Sequence, residues 1–190
     1  MMDKNYLFNT KNIKFHHLRD PTKLESILKY GILSRRMMKK KGIEIPDGHR
    51  PVAQNEYGHD KISILVTDDP KTDFEKEYEK EYKDMIDGEK FFPRNIPLGT
   101  EQRREFIYTF LPREGDDFIA FILSPDIKTI PKEKSPYSHL VKDKIPPEKI
   151  LAICISKTFE GGFLKKEVGK KIKAKIKILC EKYGKPLLEV

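Results

Sequence analysis

The sequence predicts a single α+β domain over residues 1–190, and three observations carry this prediction. A chain of 190 residues is long enough for one core and too short for two ordinary domains. Strand-like runs outnumber helical runs, and several of them follow one another directly. The two kinds of run do not alternate as they would in a doubly wound parallel sheet.

A strand, a short helix and a glycine stop are predicted close together near the N-terminus. An alternating apolar run starts at Ile13 and ends in a histidine pair that closes with His17. Asp20 is the predicted N-cap of the helix, and Pro21 takes the first helical position, where its missing N–H costs nothing. Gly31 is expected to end this helix in the left-handed cap conformation. His17 is therefore predicted on a strand beside a rigid helix, in a position suited to hydrogen bonding with a ligand.

Further strands are predicted where short apolar or β-branched runs are closed by turn residues. These runs cover residues 62–67, 106–111, 118–123, 127–130, 140–141, 150–155 and 186–190. The second and third are joined by the sequence PREGDD and predict a hairpin. Helices are predicted over 71–87 and in the lysine-rich tail after Lys165. The segment 42–58 predicts a long loop; loops of this length in a compact domain are usually functional or disordered, which makes it a candidate lid over a site.

Composition narrows the class of protein. The formal net charge of +8 favours polyanionic partners, although lysine-rich solubility gives the same count. No apolar run approaches the length of a membrane span, so no membrane association is expected. The start of the chain lacks the pattern of a secretory signal, and two cysteines, Cys154 and Cys180, cannot form a disulfide scaffold. We therefore expect a cytoplasmic protein.

Three segments carry a resemblance to a known family. The first is His17 followed seven residues later by LESILKYGILSR, and the second is SILVTDDP. The third combines FIAFILSPDI with LVKDKIPPEKILAICI. In this order and spacing the segments resemble the ADP-ribosyltransferase superfamily, in particular the branches related to DarT-type toxins and small poly-ADP-ribose-polymerase-like enzymes of bacteria and archaea. The resemblance implies an ADP-ribosyltransferase-like fold with two small packed, mostly antiparallel sheets and flanking helices.

The same resemblance implies a function. Two sheets of this kind would cradle NAD in an extended cleft, with His17 hydrogen-bonded to the ribose next to the adenine and Leu18 beside it. The implied chemistry is cleavage of the nicotinamide–ribose bond and transfer of ADP-ribose to an acceptor. Because the transition state resembles an oxocarbenium ion, the protein would need to orient NAD and place a negative group near the ribose hydroxyls.

Five further residues are candidate NAD contacts. Arg35 suits bidentate binding of the pyrophosphate, with Arg36 as the alternate, although a solvated basic surface explains both. Ser63 and Thr67 share one face of their strand and are candidates for the nicotinamide-bearing half, although ordinary sheet hydroxyls look the same. Tyr78 is the candidate ring for stacking, and the alternative is that it belongs to a core stripe of its helix.

The family's late glutamate has no counterpart at its expected place. Where relatives tend to carry it, just before the strand leading to IPPE, this chain reads PYSHLV over residues 136–141. Three residues are therefore candidates for the catalytic role. Glu133 lies upstream, Glu148 lies in the Pro-Pro-Glu turn, and His139 offers a polar or proton-carrying substitute.

These observations predict an NAD-dependent ADP-ribosyltransferase acting on a macromolecule, with DNA or RNA favoured over protein by the basic charge. One alternative is a catalytically silent relative that binds NAD, ADP-ribose or a nucleic-acid end. Another is an RNA 2′-phosphotransferase, whose set of arginines is not recognisable here. His49 and His59 are irregularly spaced from the histidine pair, so no metal site is expected.

Overall fold

A computed structural model of the chain describes residues 4–43, 58–67, 97–132, 135–159 and 166–190. The protein is α+β, with helices flanking a seven-stranded sheet and a second sheet of two strands. The strand pairs are antiparallel except for one parallel pair at the edge of the large sheet. The fold class and the flanking helices are as predicted, whereas the two sheets are very unequal in size.

The described elements are numbered here in chain order. The helices are α1 (Lys4–Asn9), α2 (Leu24–Tyr30), α3 (Arg35–Lys40), α4 (Glu101–Tyr108) and α5 (Lys166–Lys182). The strands are β1 (Lys14–Leu18), β2 (Ile32–Leu33), β3 (Lys61–Val66), β4 (Ile119–Leu123), β5 (Ile130–Lys132), β6 (Ser135–Lys142), β7 (Lys144–Ile145), β8 (Ile150–Ile155) and β9 (Leu187–Glu189). None of the described helices has the length and apolar character needed to cross a bilayer.

The large sheet has the order β5-β6-β3-β1-β4-β8-β9. Its central strand, β1, forms many more pairs with one neighbour than with the other. β1 pairs with β4 along its whole length, from Lys14 opposite Leu123 to Leu18 opposite Ile119. It pairs with β3 only through Lys14 opposite Val66 and Phe15 opposite Leu65. The sheet is therefore continuous at one end of β1 and loosely joined at the other.

Each face of the large sheet carries its own hydrophobic core. Phe15, Ala120 and Ile122 pack with α1 and α4 on one face, which we call the α4 face. Ile64 and Phe121 pack with α2, α5 and the small sheet on the other, the α5 face. This arrangement follows from strand alternation, because successive side chains point to opposite faces.

The predicted start and stop of the first helix are observed with two differences. Asp20 Oδ1 accepts from the Thr22 backbone N–H at 3.0 Å, but the capped element is a 3-10 turn over Pro21–Lys23 that leads directly into α2. Gly31 ends α2 with a positive φ of 85°, but its ψ of 177° lies outside the left-handed helical region that was expected.

The prediction of a strand over residues 106–111 is wrong, because this segment belongs to α4 and the turn that follows it. Thr100 is the N-cap, with its Oγ1 accepting from the Arg103 N–H at 3.3 Å. Buried side chains at 103, 106, 107, 110 and 111 then follow the period of a helix. The short apolar run that predicted a strand is part of this helical pattern, so the predicted hairpin does not form.

The other predicted strands are found with small changes in their ends. The 62–67 run is β3, the 118–123 run is β4 and the 150–155 run is β8. Residues 140–141 belong to the much longer β6, and the 127–130 run contributes only its last residue to β5. The predicted helix over 71–87 and all but the ends of the predicted loop over 42–58 lie outside the described residues.

Candidate functional site

The candidate site lies where β1 and β3 cease to pair. Beyond the Phe15–Leu65 pair the contact is made by a side chain, since the His16 ring donates from Nδ1 to the Ser63 carbonyl at 3.0 Å. Strand alternation puts His17 on the same face as Phe15, and Ser63 on the same face as Leu65. His17 and Ser63 therefore border this gap, which we call the β1–β3 gap, on the α4 face of the sheet.

His17 is fixed by two contacts from the segment after α4. Its Nε2–H donates to the Phe110 carbonyl at 2.8 Å, and its ring centroid lies 4.5 Å from that of Phe118. The Phe110 carbonyl follows the end of α4, where backbone acceptors lack helical partners. A carbonyl can only accept, so this bond places the proton on Nε2 and leaves Nδ1 as the acceptor of a neutral imidazole.

The surroundings keep His17 neutral near pH 7. Burial is the largest effect and lowers the pKa of His17 below its ordinary value, although the Phe110 hydrogen bond and the Asp116 carboxylate act against it. The side chain is nevertheless only half-buried, and its neighbour across β4 is the small Ala120. Within the described part of the chain, Nδ1 has no hydrogen-bond partner. The ring therefore presents an acceptor suited to a hydroxyl donor.

The lowered pKa of His17 predicts a pH dependence of stability. The unfolded chain binds this proton at about pH 6.5 and the folded chain only at lower pH, so unfolding becomes easier as the pH falls below about 6.5. Above that pH His17 is neutral in both the folded and the unfolded chain, so its full contribution to the free energy of unfolding is retained. Urea unfolding of the wild type and the His17→Gln variant between pH 5 and 8 measures it. We expect a smaller loss on acidification in the variant, and equal losses would contradict the assignment.

Of the two predicted strand hydroxyls, only Ser63 lies at the gap. Ser63 is exposed, and its Oγ accepts from the Lys132 ammonium at 2.9 Å. Thr67 is buried after the other end of β3, where its Oγ1 donates to the Ile13 carbonyl at 3.1 Å. Ile13 is four residues from His17, a separation of about 13 Å along an extended chain. Thr67 lies just beyond the end of β3, so the two hydroxyls do not share a site.

The two predicted arginines lie at the start of α3. Arg36 donates to both carboxylate oxygens of Asp143, with its Nη2 at 2.6 and 2.7 Å, and this pairing raises its pKa. Its backbone N–H donates to the His59 carbonyl at 2.8 Å, which places α3 beside the chain entering β3. Arg36 thus joins α3 to the β6–β7 turn, and Arg35 is half-buried next to it. Their role in binding a pyrophosphate stays a prediction.

The two described candidate catalytic residues, His139 and Glu148, are not brought together with His17. His139 is buried on the α5 face, opposite Ile64, with its Nδ1 2.7 Å from the Thr129 hydroxyl. Glu148 is exposed in the turn before β8, near the Lys14 end of β1. Glu148 and His17 are therefore separated by most of the length of β1. Glu133 and Tyr78 lie outside the described residues, so their predicted roles stay predictions.

Leu18 follows His17 into the last pair of β1 and points to the other face, where it is half-buried against the α5-face core. A contact with a ligand bound beside His17 would therefore involve its backbone.

Four residues around the β1–β3 gap were not found from the sequence. Phe110, Phe118 and Asp116 surround His17, and Lys132 reaches Ser63 from an edge strand. The sequence feature that could have indicated them is the pair of phenylalanines, Phe110 and Phe118, on either side of the PREGDD segment. Because the first of them was assigned to a strand, its carbonyl could not be placed beside a histidine.

No known family model matches the chain, and no curated protein is detectably similar to it. Among the described residues, no group of three or more His, Cys, Asp or Glu side chains is arranged to hold a metal ion.

Proposed function

We propose that this protein binds NAD at the β1–β3 gap and transfers its ADP-ribose to a macromolecule. In this proposal the ring of His17 accepts a hydrogen bond from a ribose hydroxyl. The nicotinamide–ribose bond breaks, nicotinamide leaves, and a nucleophile of the acceptor forms the new bond to the ribose carbon. The protein is then an ADP-ribosyltransferase-like enzyme, as the resemblance of its sequence motifs implies.

The observation that carries the proposal is the state of His17. An imidazole that is neutral, held by a backbone carbonyl and left with Nδ1 as an acceptor is preorganised for a hydroxyl donor. A histidine whose two ring nitrogens were both hydrogen-bonded within the protein would have no acceptor left for a ligand. The uneven pairing of β1 and β3 supports the proposal further, because their regular pairing ends at Phe15, two residues before His17.

The charge of the chain favours a nucleic acid as the acceptor. The net charge is +8. An excess of lysine and arginine attracts a phosphate backbone without reading its sequence.

A second candidate function is binding of NAD or ADP-ribose without transfer. It is favoured by the position opposite Leu65 on β6, which is Ser138 and not a carboxylate. Glu148, the described glutamate among the catalytic candidates, lies near the far end of β1. If no carboxylate lies beside the nicotinamide-bearing ribose, an oxocarbenium-like transition state would lack stabilisation, and the protein would act by occupancy.

We expect His17→Ala to weaken NAD binding by about tenfold or more, because one buried hydrogen bond to a ligand contributes about 1–3 kcal/mol. Isothermal titration of the purified protein with NAD measures this change. His59→Ala is the matched control, since the His59 side chain is exposed and its backbone carbonyl, which the substitution keeps, accepts from the Arg36 N–H. Thermal unfolding of both variants separates lost binding from lost folding.

If His17→Ala does not fold, His17→Phe is measured in its place, because its ring can keep the packing against Phe118 but has no acceptor for a ribose hydroxyl. NAD affinity that is equal in the wild type and the folded His17 variant would overturn the site. Transfer is tested by incubating the protein with NAD labelled in the adenylate half and with DNA, RNA or a lysate. A labelled macromolecule supports the transferase, and binding with no product and no free nicotinamide supports the silent relative.

A further inference from the structure

We propose that a basic surface around Tyr30 binds the phosphate backbone of the nucleic acid that accepts ADP-ribose. This surface, called here the Tyr30 patch, consists of Tyr30 at the end of α2 and of four exposed lysines around it, Lys29, Lys39, Lys40 and Lys41. The inference rests on the proposed function, to which it adds the surface that holds the acceptor.

The first argument is that two cations lie against one aromatic ring. The ammonium of Lys29 is 5.0 Å from the centroid of the Tyr30 ring, and that of Lys41 is 5.6 Å from the same centroid. An ammonium is attracted to an aromatic ring without losing its charge. The Tyr30 ring therefore brings together positive charges from α2 and from the end of α3, and it does not neutralise them.

The second argument is that these charges are not balanced by a carboxylate. Within the described ranges, neither Lys29 nor Lys41 forms an ion pair. Glu25, one turn before Lys29 on α2, is bonded instead to the Lys182 ammonium at 2.8 Å. The hydrogen bond with the Tyr30 side chain raises the pKa of Lys29, so its ammonium is charged at neutral pH. Like charges held near one ring repel each other, and an anion bound between them relieves that repulsion.

The third argument is the number of cations. Lys39 and Lys40 are exposed in the last turn of α3 and directly precede Lys41. With Lys29 they make four exposed lysines around the ends of two short helices. A nucleic acid strand carries one negative charge for each nucleotide, so several cations contact it together. A single small anion would leave most of these charges unused.

The fourth argument is the position of the patch relative to the β1–β3 gap. The chain runs from His17 through the 3-10 turn directly into α2, and Tyr30 is the last residue of that helix. α2 has seven residues and is therefore about 10 Å long. Phosphates follow each other at about 3.4 Å along a strand, so three or four nucleotides span the helix. A strand held at the patch thus extends toward the end of α2 that follows His17 in the chain.

The test measures binding of a fluorescein-labelled oligodeoxynucleotide of mixed sequence by anisotropy over a range of salt concentrations. The Lys29→Gln/Lys41→Gln double variant is expected to bind about tenfold or more weakly than the wild type. Its plot of log affinity against log salt should also be shallower by about 1.5, because two phosphate contacts are lost. Binding of NAD, measured by isothermal titration, should be unchanged.

Two matched variants separate position from charge. Lys128→Gln removes an exposed lysine from the connection between β4 and β5, and it should retain the affinity and the salt dependence of the wild type. The Lys29→Arg/Lys41→Arg variant keeps both charges and should also bind as the wild type does. Tyr30→Leu leaves every lysine in place but removes the ring, so a smaller loss of affinity is expected.

The outcomes distinguish this inference from the proposed function. Equal binding of the oligonucleotide by the double variant and by Lys128→Gln would overturn the patch, and so would a wild type that binds vesicles of anionic lipid but no DNA or RNA. Either result leaves NAD binding at the gap to be judged by the His17 variants. A wild type that binds the oligonucleotide through these lysines but does not bind NAD overturns the proposed function and supports the patch. If the double variant does not fold, the two single variants are measured.

Discussion

Replacing Gly31 with alanine is expected to destabilise the protein by about 3 kcal/mol or more. Gly31 has φ 85° and ψ 177°, a backbone conformation that is essentially reserved for glycine. A Cβ atom there would lie 2.2 Å from the backbone oxygen of Ile145. Because that oxygen belongs to β7 and not to a flexible side chain, either α2 or the small sheet must move. Urea unfolding followed by circular dichroism measures the change in the free energy of unfolding.

The matched control for this substitution is Gly184→Ala. Gly184 also has a positive φ, of 60°, but nothing lies within 4 Å of a Cβ built on it. Its replacement should cost only the local conformational strain, about 1 kcal/mol. Equal destabilisation at the two positions would show that backbone strain alone matters and that the close approach to Ile145 does not.

Replacing Arg103 with methionine is expected to destabilise the protein by about 3 to 5 kcal/mol. The Arg103 side chain is fully buried, although it carries a charge. Its Nε donates to the Phe8 carbonyl at 3.0 Å and its Nη2 to the Thr10 carbonyl at 2.6 Å. These are acceptors at the end of α1, which lack partners within that helix. Methionine fills part of the volume but removes the Arg103 donors from both carbonyls, so that the Phe8 carbonyl keeps only its bond from the Gly99 N–H at 3.1 Å. Chemical unfolding measures the cost.

Arg104→Met provides the comparison, since Arg104 is the next residue of the same helix. Its side chain is 45% exposed and forms a long ion pair of 3.6 Å with Glu101. Exposed pairs of this kind contribute little, so the expected change is within about 0.5 kcal/mol. Similar losses in the two variants would mean that Arg103 does not hold α1 against α4 through its buried hydrogen bonds.

Local patterns were sufficient for several elements. The unbroken apolar run of residues 150–155 predicts a buried strand, and β8 has those bounds. Asp20 and Pro21 mark the start of the helical segment that ends before Gly31. In each case the deciding interaction lies within a few residues, either as a cap or as side-chain alternation.

The segment after Thr100 shows where local patterns fail. Phe106 to Leu111 fits both a short strand and the second half of a helix, because short apolar runs do not distinguish the two periods. What decides is the packing of Phe106 and Ile107 with Phe15 of the sheet, and the buried hydrogen bonds of Arg103 to the chain after α1. Those partners are about 90 residues away along the chain.

The sequence by itself determined the α+β class, the strand that carries His17, and the cap and glycine stop of the helix beyond it. Only the tertiary structure decided the site, because its groups come from strands distant in sequence. The fold brought the Phe110 carbonyl to His17 and the Lys132 ammonium to Ser63. It also separated Ser63 from Thr67 and placed His139 on the opposite face of the sheet. Caps and alternation act between near neighbours, whereas the direction and charge state of a side chain depend on what the fold packs against it.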